Sequence, residues 1–180
     1  IAEVIRKDLN GLKGEDLTVS YLIPKKLGVS MKVSGVDTIT ALKGNVANGR
    51  QKAQLCIICH KIDQNGVNFG PQLTHWGQSR TIEQIVKDIV DPGAQLAQGF
   101  DKPVRLQKGR HVAEGFLSNY SWHAGSLKIK LFGGEVKKIL FRRKGVGVKE
   151  LGKHSWMPSA SEMGLTDQDV RDIAEYLKKL

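Results

Sequence analysis

The sequence predicts a mainly α fold, a helical domain interrupted by a small antiparallel β insertion at about residues 101–145. Three observations carry this expectation. The stretch TIEQIVKDIV places Ile82, Ile85, Val86 and Ile89 at helical spacing. The terminal stretch LTDQDVRDIAEYLKKL has a helical apolar stripe and a capping signature. Between them, SLKIKLF alternates Leu127, Ile129 and Leu131 with Lys128 and Lys130, the period of a strand.

In chain order, residues 1–15 put Ile1, Val4, Ile5, Leu9 and Leu12 on one stripe, a short amphipathic helix. Leu17–Ile23 reads as a strand ending at Pro24, and residues 28–36 as extended or irregular chain. Residues 37–55 contain helix formers with scattered glycines, and 61–77 is rich in Gly and Asn and reads largely as loop. The helix over 81–90 is capped near Ser79 or Thr81 and stopped by Asp91-Pro92-Gly93. The insertion reads as roughly four strands in meander order, with turns at Lys108-Gly109-Arg110 and Gly133-Gly134. In the last helix, Thr166 and Asp169 form a capping box and Lys178 and Lys179 suit the C-terminal end. The expected division is 1–41, an extension or the remnant of an upstream domain, and 42–180, a domain carrying the insertion.

The chain has 180 residues, 40% hydrophobic and 26% charged, a balance that suits a globular fold and excludes a disordered one. No apolar run approaches the length needed to span a bilayer. The chain begins at Ile1 with no visible signal peptide, which reads as a processed protein or a segment of a longer one. The formal charge is +10, and the block from Lys102 to Lys144 holds eleven Lys/Arg against Glu114 and Glu135, so nearly all of the excess lies there.

Both cysteines fall in Cys56-Ile57-Ile58-Cys59-His60. A zinc site would need a second Cys pair or an H-x₃₋₅-H pair, and His75, His111, His123 and His154 are scattered. A dithiol oxidoreductase would place the pair where a strand feeds a helix in a βαβ unit, which the surroundings do not provide. Covalent haem explains both thiols and the adjacent histidine: two thioethers to the porphyrin edge, and His60 as proximal ligand. A plain Cys56–Cys59 disulfide remains the alternative. For a sixth ligand, Met157 in Ser155-Trp156-Met157-Pro158 is favoured, because proline fixes the loop backbone, with Met163 and His154 as nearby rivals and Met31 remote in sequence from that loop. Core packing is the ordinary role of a methionine.

The ordered set CIICH, GVNFGPQLTHWG, IVDPGAQLAQGF, SWMPSA and LTDQDVRDIAEYLKKL resembles the haem-binding cytochrome c domains of Planctomycetes and Verrucomicrobia, from about Leu42 to Leu180. Such domains are often attached to membrane-associated or sugar dehydrogenase-like proteins. The resemblance implies a class I cytochrome c-like helical core with one covalent haem c and a β insertion. It implies that Gly70-Pro71-x-Leu73 is the loop whose proline carbonyl accepts a hydrogen bond from His60, with Pro71 and Leu73 beside the cofactor. It implies that Trp76 and Arg80 face the haem propionates, a packed tryptophan and a surface arginine being the ordinary alternatives. The terminal helix should cross the helix before CIICH with Ile173, Tyr176 and Leu177 inward. The family commonly has an aromatic residue shortly before the first cysteine, where this chain has Leu55.

A haem held by His60 and Met157 leaves no open site, so the expectation is an electron carrier rather than an enzyme, serving a dehydrogenase or other oxidoreductase. The basic block would suit an acidic redox partner, or equally a solvated strand surface that resists unwanted pairing. A polyanion-binding module and a haem sensor or enzyme with a labile sixth ligand are the competing readings, while no nucleic-acid motif is visible. Attachment of haem c occurs outside the cytoplasm, so a periplasmic or other extracytoplasmic location is expected.

Overall fold

The computed structural model describes residues 30–180 apart from 109–110, 122–125, 132–135 and 141–145. The helix and strand expected within residues 1–23, and the turns expected around Gly109 and at Gly133-Gly134, lie outside the described residues. The described chain divides into two compact units, one of residues 30–96 and 155–180, the other of residues 97–154.

The first unit is helical. It contains α1 (Val36–Thr40), α2 (Val46–Lys52), a 3-10 helix (Ala53–Ile58), a two-stranded hairpin of β1 (Lys61–Ile62) and β2 (Asn65–Gly66), α3 (Ile82–Val90) and α4 (Asp167–Lys179). The glycines and asparagines of residues 44–49 divide the 37–55 stretch: α1 ends at Thr40, and α2 starts afresh with the Asn45 side chain accepting from the Asn48 N–H. Both longer helices start from a complete capping box, Thr81 with Gln84 and Thr166 with Asp169.

The core forms where α3 presents Ile85, Val86 and Ile89 to the Val170, Ile173, Ala174 and Leu177 stripe of α4. Ile39 of α1 is fully buried in the same core, so this unit includes residues upstream of Leu42. Tyr176 is half-buried at the edge of the core, while Ile173 and Leu177 lie within it.

Helix α2 packs on α4 at close quarters through Gly49, where an added Cβ would lie 2.0 Å from the Asp172 carbonyl oxygen. Asp172, 2% exposed, fastens the same crossing. Its carboxylate accepts from the Asn45 N–H at 2.7 Å, Asn48 Nδ2 at 2.5 Å and Gln168 Nε2 at 2.7 Å. A buried carboxylate needs this degree of satisfaction, because losing one donor would leave charge uncompensated. Lys52 pairs with Asp169 at 2.9 Å along the same seam. Burial pulls the Asp169 pKa up, but Lys52 and Thr166 outweigh it and hold the carboxyl below its ordinary range.

The second unit is a five-stranded antiparallel sheet in the order β6-β5-β4-β3-β7, from β3 (Pro103–Lys108), β4 (His111–Ser121), β5 (Ser126–Leu131), β6 (Val136–Leu140) and β7 (Val146–Glu150). β4 is bulged between Leu117 and Asn119. Val104 and Leu106 are buried, and Phe116, also buried, meets Phe100 edge-on with ring centroids 5.0 Å apart. Lys130 lies 5.3 Å over the Phe100 ring, and burial holds its pKa below the usual lysine value. The registered pair Arg105 and Glu114 forms an ion pair.

The expected mainly α fold with a small insertion is therefore corrected. The described chain is mixed α/β, with four α-helices and two antiparallel sheets. Two physical causes account for the difference. The helices are short where glycine and asparagine interrupt them, and the insertion supplies a fifth strand, β7, that returns to pair with β3. The two glycines in Gly145-Val146-Gly147-Val148 weaken the strand signal of β7 in the sequence.

Gly49→Ala is expected to cost about 3 kcal/mol through overpacking against Asp172, read from chemical denaturation. Gly93→Ala, whose Cβ would meet only Asp91 Oδ1 at 3.6 Å, should stay within about 0.5 kcal/mol of the parent.

Candidate functional site

The 3-10 helix carries Cys56 and runs into Cys59. The Cys59 and His60 N–H groups both donate to the Cys56 carbonyl, at 3.1 and 2.8 Å. With three residues per turn and about 2 Å rise per residue, positions 56 and 59 fall on one row about 6 Å apart along the axis. The row before it holds Leu55 and Ile58, which are 42% and 51% exposed, while Ile57 packs on the core. Both thiols are free. Burial, together with the neighbouring Cys59, pushes Cys56 up to about 11, and burial does the same for Cys59. Thiols so reluctant to ionise are unlike the activated thiolate of a dithiol oxidoreductase.

Residues 61–73 then curl back on the motif. The hairpin reverses the chain at Asp63, whose φ is 52°, and the Asp63 N–H donates to Thr74 Oγ1 at 2.5 Å. Successive N–H groups bond earlier carbonyls: Val67 to Ile57 at 2.9 Å, Phe69 and Gly70 to Cys59 at 3.1 and 2.7 Å, and Leu73 to Lys61 at 2.9 Å. His60, 8% exposed, is held inside this loop with Nδ1 2.6 Å from the Pro71 carbonyl oxygen. A carbonyl can only accept, so Nδ1 carries the proton and Nε2 is the nitrogen with the in-plane lone pair. Gly70 lies so close to the ring that an added Cβ would be 2.6 Å from Cε1 and 2.8 Å from Nδ1.

Met157, half-buried, sits in a loop before α4. Its N–H donates to Ser155 Oγ at 3.1 Å, and that hydroxyl is 3.4 Å from the Met157 carbonyl. Trp156 stacks on Phe69, with centroids 6.1 Å apart and planes 11° from parallel. Further on, the Ala160 N–H donates to the Ile89 carbonyl at 2.9 Å, seating the loop on the end of α3. Of the other methionines, Met163 packs against the core, and Met31 is exposed with its N–H bonded to the Ser161 carbonyl. His154 belongs to the other unit.

The remaining candidates have mutual partners. Leu73 is buried in the core. Trp76 packs against that core, the Arg80 guanidinium lies 4.3 Å over its ring, and Arg80 pairs with Asp88 at 3.4 Å. Burial raises the Asp88 pKa, with Arg80 and Lys87 pulling it down. Lys178 Nζ donates to the Gln78 and Arg80 carbonyls at 2.8 and 2.7 Å, tying this turn to α4.

Sequence reasoning missed Phe69 and Trp156. The signal was present, an aromatic beside each of the two loops already singled out, but only the fold pairs them. Among the described residues no group of three or more His, Cys, Asp or Glu side chains gathers where it could hold a metal ion. No protein-family model matches the chain, and no curated protein matches it.

In the folded chain with its thiols unmodified, their alkylation by iodoacetamide at neutral pH should be on the order of a hundredfold slower than that of an exposed cysteine. A raised pKa keeps the thiol neutral, so the rate should climb with pH toward a midpoint near 11. A midpoint at or below about 8 would contradict the burial described.

Proposed function

We propose that the chain is a mono-haem c-type cytochrome that carries single electrons between redox partners and is not itself an enzyme. The observation that carries this reading is the fixed imidazole: His60 Nδ1 bonded to the Pro71 carbonyl in a ring pocket that leaves no space for a Cβ at Gly70. That arrangement suits a histidine whose task is coordination through Nε2, since the bond sets the tautomer and raises ring basicity. The donor set would suit haem c: Cys56 and Cys59 would supply two thioethers, and His60 and Met157 would hold the iron.

Once bound, haem c would supply a one-electron couple between ferric and ferrous iron. The protein's residues then set the conditions. Pro71 holds the His60 ring against rotation. Ser155 and Pro158 restrict the backbone on either side of Met157. Leu55 and Ile58 offer apolar surface beside the thiols, which is costly to leave in water and suits a porphyrin edge. A thioether ligand favours the reduced state relative to a second histidine.

The partner we propose is an acidic protein, a dehydrogenase or other oxidoreductase, attracted by the Lys/Arg excess of residues 102–144. Haem c chemistry implies an extracytoplasmic, periplasmic-type location. No helix among the described residues is long and apolar enough to cross a membrane.

The oxidised protein is expected to show the weak absorption at the red end of the spectrum that reports an Fe–S(Met) bond. Met157→Ala should remove that band while leaving the haem attached. A band that persists in Met157→Ala would overturn the ligand assignment. A wild-type protein that lacks the band and binds exogenous ligands freely would favour a sensor or enzyme. For the partner, the rate of reduction by an acidic protein should fall about tenfold as salt shortens the Debye length from about 30 to 10 Å. A salt-independent rate would remove the steering role.

A further inference from the structure

The proposed axial residues, His60 and Met157, are far apart in sequence, and one aromatic contact joins the loops that carry them. Phe69 is 3% exposed, and its N–H donates to the Cys59 carbonyl at 3.1 Å, so its ring is fixed relative to the cysteine motif. Trp156, adjacent to Met157, lies nearly parallel to that ring, with centroids 6.1 Å apart. Beyond Met157, the loop is next pinned by the Ala160 N–H on the Ile89 carbonyl. Between these points the Met157 N–H bonds the Ser155 hydroxyl, a local turn that does not itself relate the loop to His60.

We propose that the Phe69–Trp156 stack is the positioning contact that registers the Met157 loop against the His60 segment and so sets how tightly Met157 holds the iron. This inference rests on the proposed haem function. Trp156 is a positioning residue, acting through its neighbour. An offset aromatic pair contributes about 0.5–1.5 kcal/mol beyond its buried area, which corresponds to a factor of about 2 to 12 in the closed-to-open equilibrium of the loop. Loss of the stack should therefore make the sixth position about 2- to 12-fold easier to take from Met157.

The test is a titration of the ferric protein with imidazole, followed by absorbance, in wild type, Trp156→Ala, Trp156→Phe and Phe69→Leu. The expected result is an apparent Kd about 2- to 12-fold lower in Trp156→Ala and Phe69→Leu, with a weakened red-end band and a lower reduction potential. Trp156→Phe, which keeps a stacking ring, should return most of the wild-type value. Unchanged imidazole affinity in both Trp156→Ala and Phe69→Leu would overturn the proposal. So would an equal change in Trp156→Phe, because that would mark a size effect without stacking. If Trp156→Ala fails to fold, Phe69→Leu against Trp156→Phe decides. A pyridine haemochrome of the wild type separates the two claims: no haem c refutes the haem reading itself, whereas haem c with unchanged affinities refutes only the stack.

Discussion

The hydrogen bond from His60 Nδ1 to the Pro71 carbonyl is the constraint around which the candidate site is built. Holding an imidazole by one nitrogen requires an acceptor at fixed distance, and a loop of ten residues has to return to supply it. That return is secured by four backbone bonds from residues 67–73 to residues 57–61. Each contributes modestly on its own, about 1 kcal/mol, but together they leave the ring one position. Gly70 follows from the same constraint, since the chain must pass within contact distance of the ring to bring Pro71 into place.

The loop needs a stable support, and the helices provide it. Helix α2 leads into the cysteine motif, so its seat on α4 decides where Cys56 lies. That seat depends on the absence of a side chain at Gly49 and on the fully bonded Asp172 carboxylate. The same helix α4 steadies the Trp76–Arg80 turn through Lys178. The stripe Val170, Ile173, Ala174 and Leu177 gives α4 its burial against α3, whose last turn holds the Met157 loop through Ile89. Both loops proposed to carry axial ligands are thus supported by one small helical core.

Much of this was legible in the sequence because the relevant signals are local. The N-cap near Thr81 and the capping box at Thr166 are written within four residues each, and the apolar stripes of α3 and α4 need fewer than ten. The five-stranded sheet was underestimated because β7 takes its place by pairing with β3, about forty residues earlier, and glycines dilute its pattern. Phe69 and Trp156 could not be paired from the sequence, since nothing in residue spacing links positions separated by a folded insertion. Arg80 and Trp76 are a second contact that only the fold reveals. Their types suit propionate recognition, and the Arg80 guanidinium lies over the Trp76 ring and beside Asp88, contacts that residue type alone does not reveal.

The proposed electron carrier requires haem c bound through Cys56 and Cys59. The most direct measurement is the intact mass of the protein purified from a host competent in haem c attachment, followed by peptide mapping. The account predicts one haem added to the chain mass, located on the peptide containing Cys56–His60, with neither thiol open to alkylation after unfolding. A chain of unmodified mass in which both Cys56 and Cys59 alkylate would contradict it.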